Sequence, residues 1–130
     1  MKTIGQAAKA SGVTAKMIRH YESIGLLTSV TRTESGYRSY SDDEVHTLRF
    51  IRRCRDLGFS LPQIGELLAL WHDRNRASSE VRRLALDHVA TIKTKIAELS
   101  DMVRTLEHLA SNCHGDERPE CPILDDFATS

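Results

Sequence analysis

Eight apolar residues, Ala85, Val89, Ile92, Ile96, Leu99, Val103, Leu106 and Ala110, constrain this chain more than any other feature. Their steps alternate between four and three residues over more than three heptads, the period of a coiled-coil seam. A helix carrying that seam, capped by Ser78 or Ser79, has roughly 32 residues and spans about 48 Å at ~1.5 Å per residue. The rest of a 130-residue chain is too small to cover it. The helix therefore calls for a partner, and a second copy related by a two-fold axis is the natural one. The alternative is a helix folded back on its own domain.

Ahead of the seam the pattern is one of short helices. Ile4, Ala7 and Ala8 have helical spacing, and Gly12 is a stop signal. Thr14 then caps a second helix that runs towards Gly25, with Met17, Ile18 and Tyr21 on its apolar side. Two short helices joined by a glycine turn form a helix-turn-helix. The second helix presents Thr14, Lys16 and Arg19 outward, where a recognition helix meets DNA; the Tyr21 hydroxyl could also reach a phosphate. An ordinary helical hairpin is the competing reading. The polar segment from Thr31 to Tyr40 follows, with a turn signal at Glu34-Ser35-Gly36 and β-friendly flanks. It carries Arg32, Tyr37, Arg38 and Tyr40, a set suited to a wing lying on a DNA backbone. Tyr40 is the tyrosine of this pair better suited to partial burial.

Ser41 and Glu44 form a capping box for a helix whose apolar face holds Val45, Leu48, Ile51, Cys54 and Leu57. Cys54 on that face reads as a buried small hydrophobe. Arg49, Arg52, Arg53 and Arg55 lie elsewhere on the helix, where they could add phosphate contacts. Ser60, Pro62 and Gln63 start a shorter helix that ends near Trp71, which reads as core or hinge packing. A polar linker, 72–77, precedes the long helix. The domain reading is thus 1–71, a hinge at 72–77, a long helix at 78–110 and a tail at 111–130.

Charge divides along the same line. Residues 1–60 hold ten Lys/Arg against six Asp/Glu, a net +4, and residues 61–130 hold eight against twelve, a net −4. A basic first half can face phosphates, although solvated faces of unlike sign would give the same count. The apolar run Leu67–Trp71 is far too short to span a bilayer, and Met1-Lys2-Thr3 leads directly into a helical pattern. A cytoplasmic protein without membrane contact is expected. No nucleophile–base pairing or phosphate-binding glycine loop points to an enzyme.

The tail holds Cys113 and Cys121, seven residues apart, in the stretch CHGDERPECP. In a reducing compartment such a pair leans towards metal binding or redox sensing rather than a structural disulfide. Soft Cu(I) takes thiolates, and two sulfurs can satisfy it, as they can Ag(I) and Au(I). Zinc wants four donors, and here there are two sulfurs with at most His114. Pro122 suits the first position of a short helix to Phe127, which places Cys121 at its positive end. A disulfide or two idle thiols remain open.

The order of these parts, with Ile18-Arg-His-Tyr-Glu-Ser-Ile-Gly-Leu-Leu27 and Gly36-Tyr-Arg-Ser-Tyr40, resembles the MerR family of transcription regulators over essentially the whole chain. The tail is similar to the copper(I)-responsive, CueR/HmrR-like branch. The resemblance implies a mainly α fold: a winged helix-turn-helix DNA-binding domain, a long dimerisation helix forming an antiparallel coiled coil, and a short C-terminal metal-binding loop and helix. It implies Ser78 where divalent-ion sensors of the family place a cysteine, and two cysteines where the superoxide branch has four. It further implies a homodimeric activator that binds promoter DNA, distorts it on metal binding for RNA polymerase, and controls copper efflux genes. Three alternatives stay open: a thiol redox sensor on the same scaffold, a zinc-type sensor, and a copper buffer that does not bind DNA.

Overall fold

The structure, a computed structural model, describes residues 1–27, 31–32 and 36–129, with backbone alone for Thr31 and Arg32. Glu34 and Ser35 of the expected turn lie outside the described residues, as does the side chain of Arg32. The chain forms two compact units, Met1–Ser78 and Ser79–Ser130.

In the first unit each helix begins where a short polar side chain replaces a missing backbone partner. Thr3 caps α1 (Ile4–Ser11) and exchanges bonds with Gln6, the Gln6 N–H donating to Thr3 Oγ1 at 3.2 Å. Gly12 closes α1 at φ 76°, and a Cβ there would run into the guanidinium of Arg52. Thr14 caps α2 (Ala15–Ser23) by accepting from the Met17 N–H. Strands β1 (Thr31–Arg32) and β2 (Arg38–Ser39) pair antiparallel, Thr31 opposite Ser39 and Arg32 opposite Arg38. The chain's start joins this hairpin: the Lys2 N–H donates to Tyr40 O at 2.7 Å, and the Tyr40 N–H donates to Lys2 O at 2.8 Å. Capping boxes at Ser41/Glu44 and Ser60/Gln63 open α3 (Asp42–Asp56) and α4 (Leu61–His72).

One apolar core unites these elements. Ala7, Ile18, Tyr40, Leu48, Ile51 and Ile64 are wholly buried, and Val13, Tyr21, Leu27, Val45, Cys54 and Leu68 nearly so. Small Ala7 lets α1 pack closely against α2 and α3. Arg49 locks that joint: its Nε and Nη2 donate to the Ala10 carbonyl, a free C-terminal acceptor of α1, at 3.1 and 3.0 Å. Arg49 thus ties α3 to α1 while its side chain stays exposed.

Tyr21 is 5% exposed and Tyr40 fully buried, so both rings belong to the core, as the apolar placement of Tyr21 and the expected burial of Tyr40 lead one to expect. Trp71 goes the other way and is 58% exposed. It continues the inward spacing of Ile64 and Leu68 but lies past the core's edge, flanked by the Phe50 ring at 5.9 Å and the Arg76 guanidinium at 5.8 Å.

The second unit holds α5 (Ser78–Ser111), 34 residues long, and α6 (Pro122–Thr129). Helix α5 starts at Ser78 itself, so neither Ser78 nor Ser79 stands outside it as a cap. Its seam is open: Val89, Ile92, Ile96, Leu99, Val103 and Leu106 are all exposed in the single chain, as is Ala85. Leu86 and Met102 flank the seam, exposed likewise. Strict four–three stepping passes over them. Among the described residues no helix is long and apolar enough to cross a membrane.

Candidate metal centre and nucleic-acid interface

The tail folds back through a short loop. Helix α5 ends with the Cys113 N–H donating to Ala110 O, and Gly115 reverses the chain at φ 68°, a left-handed conformation that favours glycine. Asp116 then stiffens the loop, accepting from the Arg118 backbone N–H at 3.0 Å and from Arg118 Nε at 2.8 Å. The Cys121 carbonyl accepts the first α6 bond, from the Asp125 N–H at 3.1 Å, so Cys121 is the N-cap and Pro122 the first helical residue.

This position decides the chemistry of the Cys121 sulfur. Backbone N–H groups of Leu124 and Ile123 point at it, and the Cys113 thiol donates to it. Led by the Leu124 N–H, these donors hold the Cys121 thiol below its ordinary pKa, against slight burial and the nearby Asp125 charge. Cys113 and Cys121 thus stand at the two ends of one short loop, both half-buried and neither disulfide-bonded. His114 is exposed. Among the described residues no three His, Cys, Asp or Glu side chains gather into a metal-binding group. Cys54 is a different thiol: it sits in the core, and burial pushes its pKa up.

A second site lies on the first unit. Thr14, Lys16 and Arg19 are exposed along α2, and Tyr37 is 74% exposed on the wing. Thr14 Oγ1 accepts from the Met17 N–H and keeps its own hydrogen to donate. Arg19, Tyr37 and Arg38 line one hollow together with Thr3, Ile4 and Gly36. Arg38 is only partly free, because its buried Nε lies 3.0 Å from Glu22 Oε1. That contact is an ion pair whose alignment is not that of a hydrogen bond.

The pattern of the MerR HTH family regulatory proteins matches residues 2–71, and that of the MerR DNA-binding region matches residues 45–109. The chain belongs to the MerR family. Similar MerR proteins include heavy metal-dependent transcription regulator 2 of Rhizobium meliloti (strain 1021), 62% identical over 96% of this chain and 85% of that one. The HTH-type transcriptional regulator CueR of Salmonella typhimurium (strain LT2) is 41% identical over 96% of this chain and 91% of its own. Among solved structures, the transcription regulator PbrR691 from Ralstonia metallidurans CH34, in complex with lead(II), superposes with a TM-score of 0.87. It is 34% identical, covering 98% of this chain and 99% of that one. This MerR chain is accordingly a helix-turn-helix transcription regulator with a DNA-binding first unit and a long C-terminal helix.

Proposed function

We propose that this MerR protein is a homodimeric, copper(I)-responsive transcription activator, with Ag(I) or Au(I) able to replace Cu(I). The observation that carries the reading is a pair of free, half-buried cysteines at the two ends of one short loop, with Cys121 capping α6. Similarity to proteins named heavy metal-dependent regulators and CueR supports it.

The donor set fits such an ion. Both donors are soft sulfurs, and the backbone N–H groups of α6 favour the thiolate at Cys121. A tetrahedral zinc site needs four donors, and in this family reading Ser78 stands where a further thiol would be supplied. Cys113 and Cys121 would hold a monovalent ion in a unit with a single negative charge, which the positive end of α6 would partly offset.

On DNA, α2 of each copy enters a major groove through Thr14, Lys16 and Arg19, while Tyr37 and Arg38 rest on the flanking phosphates with Arg32 beside them. Paired α5 helices set the half-site spacing at about one helical turn or a multiple of it. Residues 72–77 act as the hinge between the DNA-binding unit and α5. The tail has differential affinity for the metal in two states of the dimer, and only one of them distorts the promoter so that RNA polymerase finds its elements in register. Copper efflux genes are the expected targets.

Anaerobic in vitro transcription from the chain's own upstream promoter, with Cu(I), Ag(I) or Zn(II), tests this. Cu(I) and Ag(I) should activate and Zn(II) should not. Equal activation by Zn(II) would remove the two-thiolate site, and activation by peroxide alone would make the tail a redox switch. Failure to shift the promoter in either state would leave a copper buffer.

A further inference from the structure

One carboxylate on α2 grips the wing twice. Glu22 Oε1 faces Arg38 Nε at 3.0 Å, and Glu22 Oε2 accepts a hydrogen bond from the Tyr40 hydroxyl at 3.2 Å. The group is sheltered: the Glu22 side chain is 19% exposed and Tyr40 wholly buried. Behind it, the two backbone bonds between Lys2 and Tyr40 tie the same strand to the start of α1. Burial, then the charge of Glu22 and its hydrogen bond, raise the Tyr40 pKa, so the phenol stays protonated and donating.

The placement is costly for a protein that binds phosphates. Glu22 lies one helical turn beyond Arg19, and Arg19 and Arg38 line the same hollow. A carboxylate there repels a nucleic-acid backbone and neutralises part of Arg38. By charge alone its removal should tighten DNA binding. Geometry argues the reverse. Among the described residues strands β1 and β2 have two residues each, too little ladder to fix a wing's angle by backbone pairing.

We propose that Glu22 is a positioning residue for DNA binding, which clamps β2 to α2 so that Arg19, Tyr37 and Arg38 present one phosphate-facing surface of fixed spacing. The proposal rests on the reading of α2 and the wing as the DNA interface. The clamp holds the Arg38 Nε side against the helix and leaves its two Nη groups for phosphate. Tyr40 serves the interface from inside the core, by fixing the carboxylate that fixes Arg38.

Fluorescence anisotropy with a labelled duplex from the chain's own upstream DNA, over a range of salt, tests the clamp in wild type, Glu22→Gln, Tyr40→Phe and the double variant. Each single variant should weaken binding, Glu22→Gln by roughly tenfold or more, the size of a lost bond to a charged group. The double variant should be no weaker than Glu22→Gln alone, since Tyr40 acts on Arg38 only through the Glu22 carboxylate. Phosphate-ethylation interference should fade at the flanking phosphates under the wing and persist elsewhere, a change that general loss of stability would not produce. Circular dichroism checks the fold. If Glu22→Gln does not fold, Tyr40→Phe, which loses one hydroxyl, decides alone. Folded variants that bind as tightly as wild type, or tighter, overturn the clamp, and so does an additive double variant. Wild type that fails to bind overturns the DNA interface itself, and the clamp with it.

Discussion

Cys54, Cys113 and Cys121 are one functional group in three surroundings. Cys54 is packed in the core, whereas Cys113 and Cys121 are half-open at the two ends of one loop. We expect Cys113→Ser and Cys121→Ser each to abolish the Cu(I) response in transcription while promoter binding survives. Cys54→Ser should keep the response at some cost in thermal stability, since a hydroxyl replaces a buried sulfur. A Cys113→Ser protein that still responds would contradict the paired site. Arg38→Ala should weaken binding to all DNA sequences and flatten the log–log salt dependence by roughly one unit, read by anisotropy. The burial of Cys54 was legible in the sequence because helical phase reports it directly. The tyrosines were legible only in part. Tyr21 and Tyr40 have a ring that packs and a hydroxyl that bonds, so local pattern reads them either way. What buries the Tyr40 hydroxyl favourably is Glu22, 18 residues earlier in the chain and across a turn.

Helix starts are the most legible elements. Thr14, Ser41 and Ser60 cap the helices that sequence assigns them, since a capping side chain and its target amide are three residues apart. Gly12 stops α1 for an equally local reason. The α5 start was less legible, because Ser78 and Ser79 offer the same signal one residue apart and the helix includes both. Trp71 shows a different limit: periodicity says which way a residue faces but not where the core ends. The start of α3 also carries a pH dependence. Asp42 Oδ1 accepts from Lys2 Nζ at 3.0 Å, and that bond, with the Lys2 charge, holds the carboxyl below its ordinary range. A depressed carboxyl contributes stability that is present above its unfolded pKa and lost as pH falls through its folded one. Asp42→Asn should therefore lose stability near neutrality but draw level with wild type in acid, as urea titrations across that range would show. A constant deficit at every pH would mean that the ion pair is not the cause.

At the scale of the molecule, the first unit has a closed apolar core and the second displays its seam to solvent. Ile96, midway along α5 and 58% exposed in the single chain, is the sharpest test of where that seam goes. Ile96→Asp should place an unpaired charge between two copies, cost several kcal/mol and dissociate the dimer in ultracentrifugation. Wild type that sediments as a monomer would sink the pairing. The two units should also regain their structure by different kinetic orders. Residues Met1–Ser78 contain every contact that their own core requires, together with caps that start each helix locally, so their recovery after denaturant dilution should be first-order and fast. Helix α5 has its apolar stripe completed only by collision with another chain, so its helical signal should return at a rate that rises with protein concentration. Dilution alone would then separate in time a half that folds by itself from a half that waits for company.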